Sequence, residues 1–264
     1  MIKVFPALMR RRAPSLEPIT WTERTSSFDT GIIEGVAYGN GYWVAVGGDG
    51  KLATATDPTG TWTQRTSSFS PWGIKGVAYG DGSWVAVGAS GKLATATTPT
   101  GTWTERTSSF STTTIRKVAY GNGYWVAVGD SGKLATATTP TGTWTQRTSS
   151  FDTTEINGVA YSNGAWVAVG YSGKLATATD PTGTWTQRTS SFGTNVICSV
   201  AYGDGYWVAA GQTGKLATAT DPTGTWTQRT SGFGTKVIYD VAYGDGDWVA
   251  VGYNGKLATA VPGV

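Results

Sequence analysis

The chain has 264 residues, of which 14% are charged, and 20 basic against 17 acidic residues give a formal net charge of +3. It contains no histidine and one cysteine, Cys198, so an internal disulfide and the usual zinc and copper ligand sets are excluded. We therefore expect no metal and no cofactor. The basic residues are spread along the chain instead of forming one stripe, so we expect no nucleic-acid partner.

The first residues, MIKVFPALMRRR, contain an apolar stretch that is too short for a secretory signal and is interrupted by Pro6. No apolar run reaches the ~20 residues that cross a bilayer, so we expect no membrane insertion. We interpret residues 1–19 as an N-terminal arm. Its basic cluster, Arg10, Arg11 and Arg12, is either a solvated tail or an arm that docks onto a larger assembly.

Residues 20–264 consist of a repeat with a period of 41 residues. A Thr-Trp-Thr step recurs from Trp21 to Trp226, and a second tryptophan, in the segment WVA, recurs from Trp43 to Trp248. A period of ~40–45 residues is typical of a propeller blade of four short strands. The sequence therefore predicts an all-β fold, a six-bladed β-propeller with four-stranded antiparallel blades.

The first complete repeat predicts four strands in chain order. Alternation favours an innermost strand over residues 32–39, and the turn Asn40-Gly41 leads to a second strand over 42–47. A Gly-rich turn precedes a third strand over 51–56, and Asp57-Pro58-Thr59-Gly60 precedes an outermost strand over 61–66. The last repeat lacks an outermost strand, whereas residues 19–25 form an unattached one. We predict that this N-terminal strand joins the last blade and closes the ring.

The segment DPTGTW, Asp57 to Trp62, resembles the Asp-box of sialidase-like propellers, usually written S-x-D-x-G-x-T-W, although its glycine is displaced by one position and Ala55 replaces the serine. The wider repeat is similar to repeats of bacterial and phage tail-associated propellers. The resemblance implies that the box is a folding element on the side away from the ligand. Thr98 and Thr139 replace the aspartate in two repeats, which favours a turn-capping role over a catalytic one.

Sialidase activity is not expected from the residues present. It needs converging arginines, whereas the periodic arginines from Arg24 to Arg229 occur once per predicted outermost strand. Five glutamates offer no paired-carboxylate chemistry, and the lack of histidine excludes Ser-His and Cys-His nucleophiles. We therefore predict that the chain is not an enzyme.

The repeats differ from one another mainly in two loops, which a four-stranded meander places on the same face. The first precedes the innermost strand, at 29–35 and its equivalents, and the second follows the WVAVG segment. We predict that this variable face binds a ligand. The candidate contacts are Trp72, Tyr171, Tyr253 and Tyr239 as stacking surfaces, with Glu34, Lys75, Arg116, Asn157, Asp49 and Gln212 as polar groups.

These features favour a non-catalytic binding propeller of a phage tail or virion that recognises surface glycans or another virion protein. The alternatives are a bacterial carbohydrate-binding or adhesion module and a vestigial hydrolase. A virion or an extracellular setting without a classical signal peptide is expected, and otherwise a cytoplasmic one. The ligand, the oligomeric state and a natural or designed origin stay open.

Deleting residues 1–26 should strongly destabilise the protein, because the last blade would lose its outermost strand and expose an edge. Thermal unfolding and size-exclusion chromatography of the truncated chain test this. A truncated chain that stays monomeric and equally stable would contradict closure by the N-terminal strand.

Overall fold

The computed structural model describes residues 27–29, 31–244, 247–253 and 257–260. They form six consecutive antiparallel sheets, each a meander in which neighbours in sequence are neighbours in the sheet. Five sheets have four strands, and the sixth has three among the described residues. These findings establish an all-β protein built from repeated sheets, and they confirm the predicted strand order.

The strands are numbered in chain order. The first sheet contains β1 (Ile33–Gly39), β2 (Tyr42–Gly47), β3 (Leu52–Ala55) and β4 (Thr63–Arg65). The second contains β5 (Ile74–Gly80), β6 (Ser83–Gly88), β7 (Leu93–Ala96) and β8 (Thr104–Arg106). The third contains β9 (Ile115–Gly121), β10 (Tyr124–Gly129), β11 (Leu134–Ala137) and β12 (Thr145–Arg147).

The fourth sheet contains β13 (Ile156–Ser162), β14 (Ala165–Gly170), β15 (Leu175–Ala178) and β16 (Thr186–Arg188). The fifth contains β17 (Ile197–Gly203), β18 (Tyr206–Gly211), β19 (Leu216–Ala219) and β20 (Thr227–Arg229). The sixth contains β21 (Ile238–Gly244), β22 (Asp247–Gly252) and β23 (Leu257–Ala260). Short 3-10 turns follow the second strand of the first five sheets, at Gly48–Gly50, Ala89–Gly91, Asp130–Gly132, Tyr171–Gly173 and Gln212–Gly214. Among the described residues, no helix has the length and hydropathy of a membrane span.

The first strand of each sheet departs from the strict alternation that the sequence predicts. A β-bulge lies near its start, between Ile74 and Gly76 in the second sheet and at the equivalent place in the others. The extra residue re-aims the side chains, so Ile74 and Val77, three positions apart, enter the same apolar cluster. The bulge therefore provides two core residues where alternation would provide one.

Adjacent sheets bury an apolar cluster between them. Val44, Val46 and Leu52 of the first sheet pack against Ile74 and Trp84 of the second. Equivalent clusters lie at the next four junctions. Each fully buried large side chain contributes about 1.5–3 kcal/mol, so the repeated tryptophan, isoleucine, valine and phenylalanine positions can stabilise the stack of sheets.

A glycine at the end of the first strand allows neighbouring sheets to approach closely. A Cβ atom on Gly121 would lie 2.3 Å from the ring of Tyr161, and the equivalent distances at Gly39, Gly80 and Gly203 are 2.1–2.4 Å. Ser162 occupies this position in the fourth sheet. The close contact between the glycine and the next tyrosine is therefore a feature of four of the described junctions.

Among the described residues, nothing covers one face of the first sheet and one face of the sixth. Val36 is 56% exposed, whereas its equivalent Val77 is 7% exposed, and Val251 is 39% exposed, whereas Val87 is fully buried. Seven of the ten large apolar side chains that are exposed among the described residues belong to these two repeats: Ile32, Ile33, Val36, Tyr38, Tyr239, Val251 and Tyr253. The predicted closing strand, residues 19–25, lies outside the described residues, as does the N-terminal arm.

Replacing Gly121 by alanine should destabilise the protein by about 1 kcal/mol or more, because the added Cβ atom would overlap the Tyr161 ring. Ser162 indicates that a junction can adapt at this position, so we expect the lower end of the usual cost of overpacking. Denaturant unfolding of the variant measures the change. The matched control is Gly48→Ala, since a Cβ atom there would have nothing within 4 Å. Equal stability of the two variants would refute the proposed contact.

Candidate functional site: the variable-loop face

The two variable loops of each repeat lie side by side. The amide of the first residue of the second loop donates a hydrogen bond to a carbonyl of the first loop, as from Ala89 to Gly73 at 3.0 Å and from Tyr171 to Glu155 at 3.1 Å. The same bond links Tyr253 to Val237 at 2.9 Å. One end of every sheet therefore presents both variable segments, as the sequence predicts.

The outer part of this face is formed by two positions per sheet. One is the third residue of the first loop and the other is the first residue of the second loop. In chain order the six pairs are Gly31 and Gly48, Trp72 and Ala89, Thr113 and Asp130, Thr154 and Tyr171, Asn195 and Gln212, and Lys236 and Tyr253. We call these the outer pairs.

Several outer pairs display solvent-exposed aromatic rings. The exposed fractions are 44% for Trp72, 42% for Tyr171 and 46% for Tyr253. The ammonium of Lys236 lies 5.4 Å from the centroid of the Tyr253 ring, within the range of a cation–π contact. Sequence reasoning missed Lys236, although it occupies the same loop position as Trp72 and could have been found by aligning the six loops.

The inner part of the face consists of side chains at the start of each first strand, and these bridge neighbouring sheets. Lys75 forms an ion pair with Glu34 of the preceding sheet, at 2.6 Å. Asn157 donates a hydrogen bond to the carbonyl of Ile197 in the next sheet, at 3.0 Å. We call the contacts made by these positions and their immediate neighbours the inner rim.

Two further contacts complete the inner rim among the described residues. Arg116 pairs through Nε with Asp130 of its own sheet and through Nη2 with Glu155 of the next, the latter at 2.9 Å. Ser199 donates to Asp240 of the next sheet at 2.5 Å. Burial lowers the pKa of the Arg116 guanidinium, but the hydrogen bond to Asp130 and the nearby carboxylates outweigh burial and raise it above its ordinary value. The arginine therefore stays charged.

The structure places the ten predicted site residues in different surroundings. Trp72, Tyr171, Tyr253 and Gln212 belong to outer pairs, whereas Glu34, Lys75, Arg116 and Asn157 belong to the inner rim and are engaged by neighbouring sheets. Tyr239 is 54% exposed at the inner edge, and Asp49 is exposed in a 3-10 turn. Gln212 accepts a hydrogen bond from the amide of Val196 at 3.3 Å.

Two further kinds of reactive side chain, the Cys198 thiol and the periodic arginines, have defined surroundings. Burial, assisted by the charge of Asp240, raises the pKa of the Cys198 thiol to about 11, so the thiol is protonated at neutral pH. Each described periodic arginine donates through Nε to a threonine of its own sheet, as Arg65 does to Thr54 at 2.9 Å. Within the described part of the chain, no three acidic or thiol side chains gather as metal ligands would.

The Asp-Pro-Thr-Gly turns lie at the opposite end of the sheets. Asp180 accepts hydrogen bonds from the amide and the hydroxyl of Thr182, both at 2.8 Å, and Trp185 donates through Nε1 to the carbonyl of Pro181 at 3.2 Å. In the repeats with threonine instead of aspartate, the tryptophan makes the same bond, as Trp103 does to Pro99. The aspartate thus caps a turn that forms without it.

No protein-family model and no curated protein matches the chain. Several solved structures are similar to it in fold. A structure of YCF48 bound to a D1 peptide is 17% identical, with a TM-score of 0.57, covering 89% of this chain and 94% of that one. YCF48 from Cyanidioschyzon merolae is 16% identical, with a TM-score of 0.68 and coverages of 87% and 82%. The computationally designed Ika8 protein is 13% identical, with a TM-score of 0.62 and coverages of 88% and 84%. Together with the repeated sheets, the likeness to the YCF48 propellers establishes the β-propeller fold.

Replacing Asp180 and Asp221 by threonine should flatten the dependence of stability on pH under acidic conditions. Hydrogen bonds from the amides and then the hydroxyls of Thr182 and Thr223 lower the pKa of these carboxyls. A lowered folded pKa gives stability that is present above the ordinary value, about 4, and is lost as the pH falls through the folded value. Near neutral pH the change should be small, because Thr98 and Thr139 already occupy this position.

Thermal unfolding of the double variant and of the unaltered protein between neutral and strongly acidic pH provides the measurement. Stability curves that run parallel down to low pH would show that the two aspartates contribute nothing through these hydrogen bonds.

Proposed function

We propose that the chain is a non-catalytic binding β-propeller that holds a partner on its variable-loop face. One observation carries the proposal: nearly identical sheets display their differences at one end, where the aromatic rings of Trp72, Tyr171 and Tyr253 are exposed to solvent. Loops on a rigid framework are where proteins usually build recognition, and exposed tyrosine and tryptophan are the side chains that most often anchor partners.

The arrangement of reactive groups supports binding without catalysis. The sequence has no histidine for acid–base or nucleophilic work, and the Cys198 thiol is protonated at neutral pH. The described periodic arginines are tied to threonines of separate sheets, so they do not converge on one carboxylate. These features favour a framework for recognition over a hydrolase, including a vestigial one.

A polypeptide is the partner that we favour. One of the similar propellers was solved with a bound peptide, which supports this class without identifying the partner. A surface glycan is the second candidate, since exposed aromatic rings also stack on sugars. The virion or extracellular setting rests on the resemblance of the repeats to those of phage tail-associated propellers, and the arm with Arg10, Arg11 and Arg12 would provide docking there.

We also propose that the sixth sheet closes on the first to give a six-bladed ring, with the N-terminal strand as the missing strand of the last blade. The uncovered faces support closure, because Val251 lies on the face that covers the next sheet at other junctions, and Val36 on the face that is covered there. Phe28 is buried against Ala45 and Ala53, as the equivalent phenylalanines are in the following sheets. A closed ring would hold the variable loops in a fixed arrangement.

Selection of peptides from a random display library and a glycan array, both against the purified full chain, test the proposed function. We expect peptides to bind, and the double variant Trp72→Ala and Tyr171→Ala to weaken binding by at least about tenfold, or ~1.4 kcal/mol. The matched control is Tyr206→Ala, which removes an exposed tyrosine from the start of β18, at the opposite end of the fifth sheet. Affinity that survives the variable-face changes but falls in the Tyr206 variant would disprove the assignment.

A further inference from the structure

We propose that the variable face has two separate roles: the outer pairs contact a polypeptide partner, and the inner rim stabilises the junctions between neighbouring sheets. The partner would carry an acidic side chain that meets the pair Lys236 and Tyr253, and an apolar one that meets Trp72 and Ala89. This inference rests on the proposed binding function, and it names the residues that contact the partner and the chemical class of the partner side chains that they meet.

The geometry of the outer pairs makes each a small composite surface. The backbone hydrogen bond between the two loops fixes one position beside the other, and the 5.4 Å approach of Lys236 to the Tyr253 ring shows that the two side chains of a pair can touch. Neighbouring pairs differ in character: apolar in the second sheet, amide in the fifth and cationic in the sixth, whereas the carboxylate of the third-sheet pair, Asp130, is engaged by Arg116 of the inner rim. A chain crossing this face would meet a different pair at each sheet.

The inner rim joins neighbouring sheets through polar contacts that differ from one junction to the next, although the repeats are nearly identical. The third strands of all six sheets share the sequence LATA, and the apolar clusters at the junctions use equivalent residues. The junctions therefore differ from one another mainly in their polar contacts. The pairs of Lys75 with Glu34 and of Arg116 with Glu155, like the bond from Ser199 to Asp240, are each specific to one junction.

The chemistry of the partner follows from which groups stay available. Lys75, Lys51, Lys92 and Lys174 have carboxylate partners. Among the described residues, Lys117, Lys133, Lys215 and Lys236 have no carboxylate within ion-pair distance, and Lys133 and Lys215 donate to backbone carbonyls. Of these four, Lys236 is the one whose ammonium lies over an aromatic ring. An ammonium that is exposed next to tyrosine suits a carboxylate carried on an apolar or aromatic segment. Trp72 next to Ala89 offers a flat apolar contact without a competing charge.

The experiment compares matched variants of the two groups, using synthetic peptides selected on the unaltered protein. The outer variants are Trp72→Ala, Lys236→Met and Tyr253→Ala, the inner variants are Glu34→Gln and Lys75→Met, and Tyr206→Ala is the control. Each variant is measured for peptide affinity and for thermal stability. A second peptide, in which acidic residues are replaced by their amides, is measured against the unaltered protein and Lys236→Met.

We expect the outer variants to weaken binding by about tenfold or more with unchanged melting temperature, and the inner variants to lower the melting temperature while the affinity stays within about threefold. The amide peptide should bind weakly to the unaltered protein, and its affinity should fall little further in the Lys236→Met variant. Loss of affinity through the inner variants alone would overturn the division of roles but leave the variable face as the binding site.

Three other outcomes are decisive. If neither group affects affinity, both this inference and the proposed site are wrong. If the amide peptide binds as well as the acidic one, the assignment of an acidic partner fails. If glycans bind and no peptide does, the polypeptide assignment fails while the variable face remains testable with the same variants.

Discussion

Each sheet has apolar side chains on both faces, and the burial of both faces between neighbouring sheets is the constraint on which the rest of the structure depends. The valines and leucine of one sheet cover the isoleucine, valine and tryptophan of the next, and this arrangement is repeated at five junctions. A sheet of four short strands cannot hide both faces by itself, so stability belongs to the stack and not to a single sheet. The same stacking aligns the loops of successive sheets at one end.

The strand order, the two turn types and the shared position of the variable loops could be predicted from the sequence, because each follows from local patterns that recur six times. Predicted strands over 32–39 and 42–47 agree with β1 and β2 to within one residue, whereas the third and fourth strands are shorter than expected. The bulge near the start of each first strand, as at Ile74, could not be predicted, because no glycine or proline common to all six repeats marks its position. It depends on which side chains the adjoining sheet can bury.

The sequence predicted which face carries the candidate site, but it did not predict the division of that face into outer pairs and an inner rim. Glu34, Lys75, Arg116 and Asn157 were expected to face a ligand, and the sequence did not reveal that they also contact neighbouring sheets. Such contacts join residues about 40 positions apart, so no local pattern reveals them. Lys236 was missed although an alignment of the six loops places it at the position of Trp72, and its contact with the Tyr253 ring is known only from the structure.

The meander order of the strands also bears on how the chain acquires its structure. Every strand in the described sheets pairs with a strand adjacent in sequence, so a sheet needs one contiguous stretch of chain and no distant segment. Proteins with such local connectivity fold quickly, since little chain entropy is lost before contacts form. During synthesis, one sheet can form while the next is still being made, and each new sheet finds an apolar surface already in place. The last sheet would differ if the proposed closing strand belongs to it. That strand is synthesised first, so it could pair only after the last strands of the chain had been synthesised.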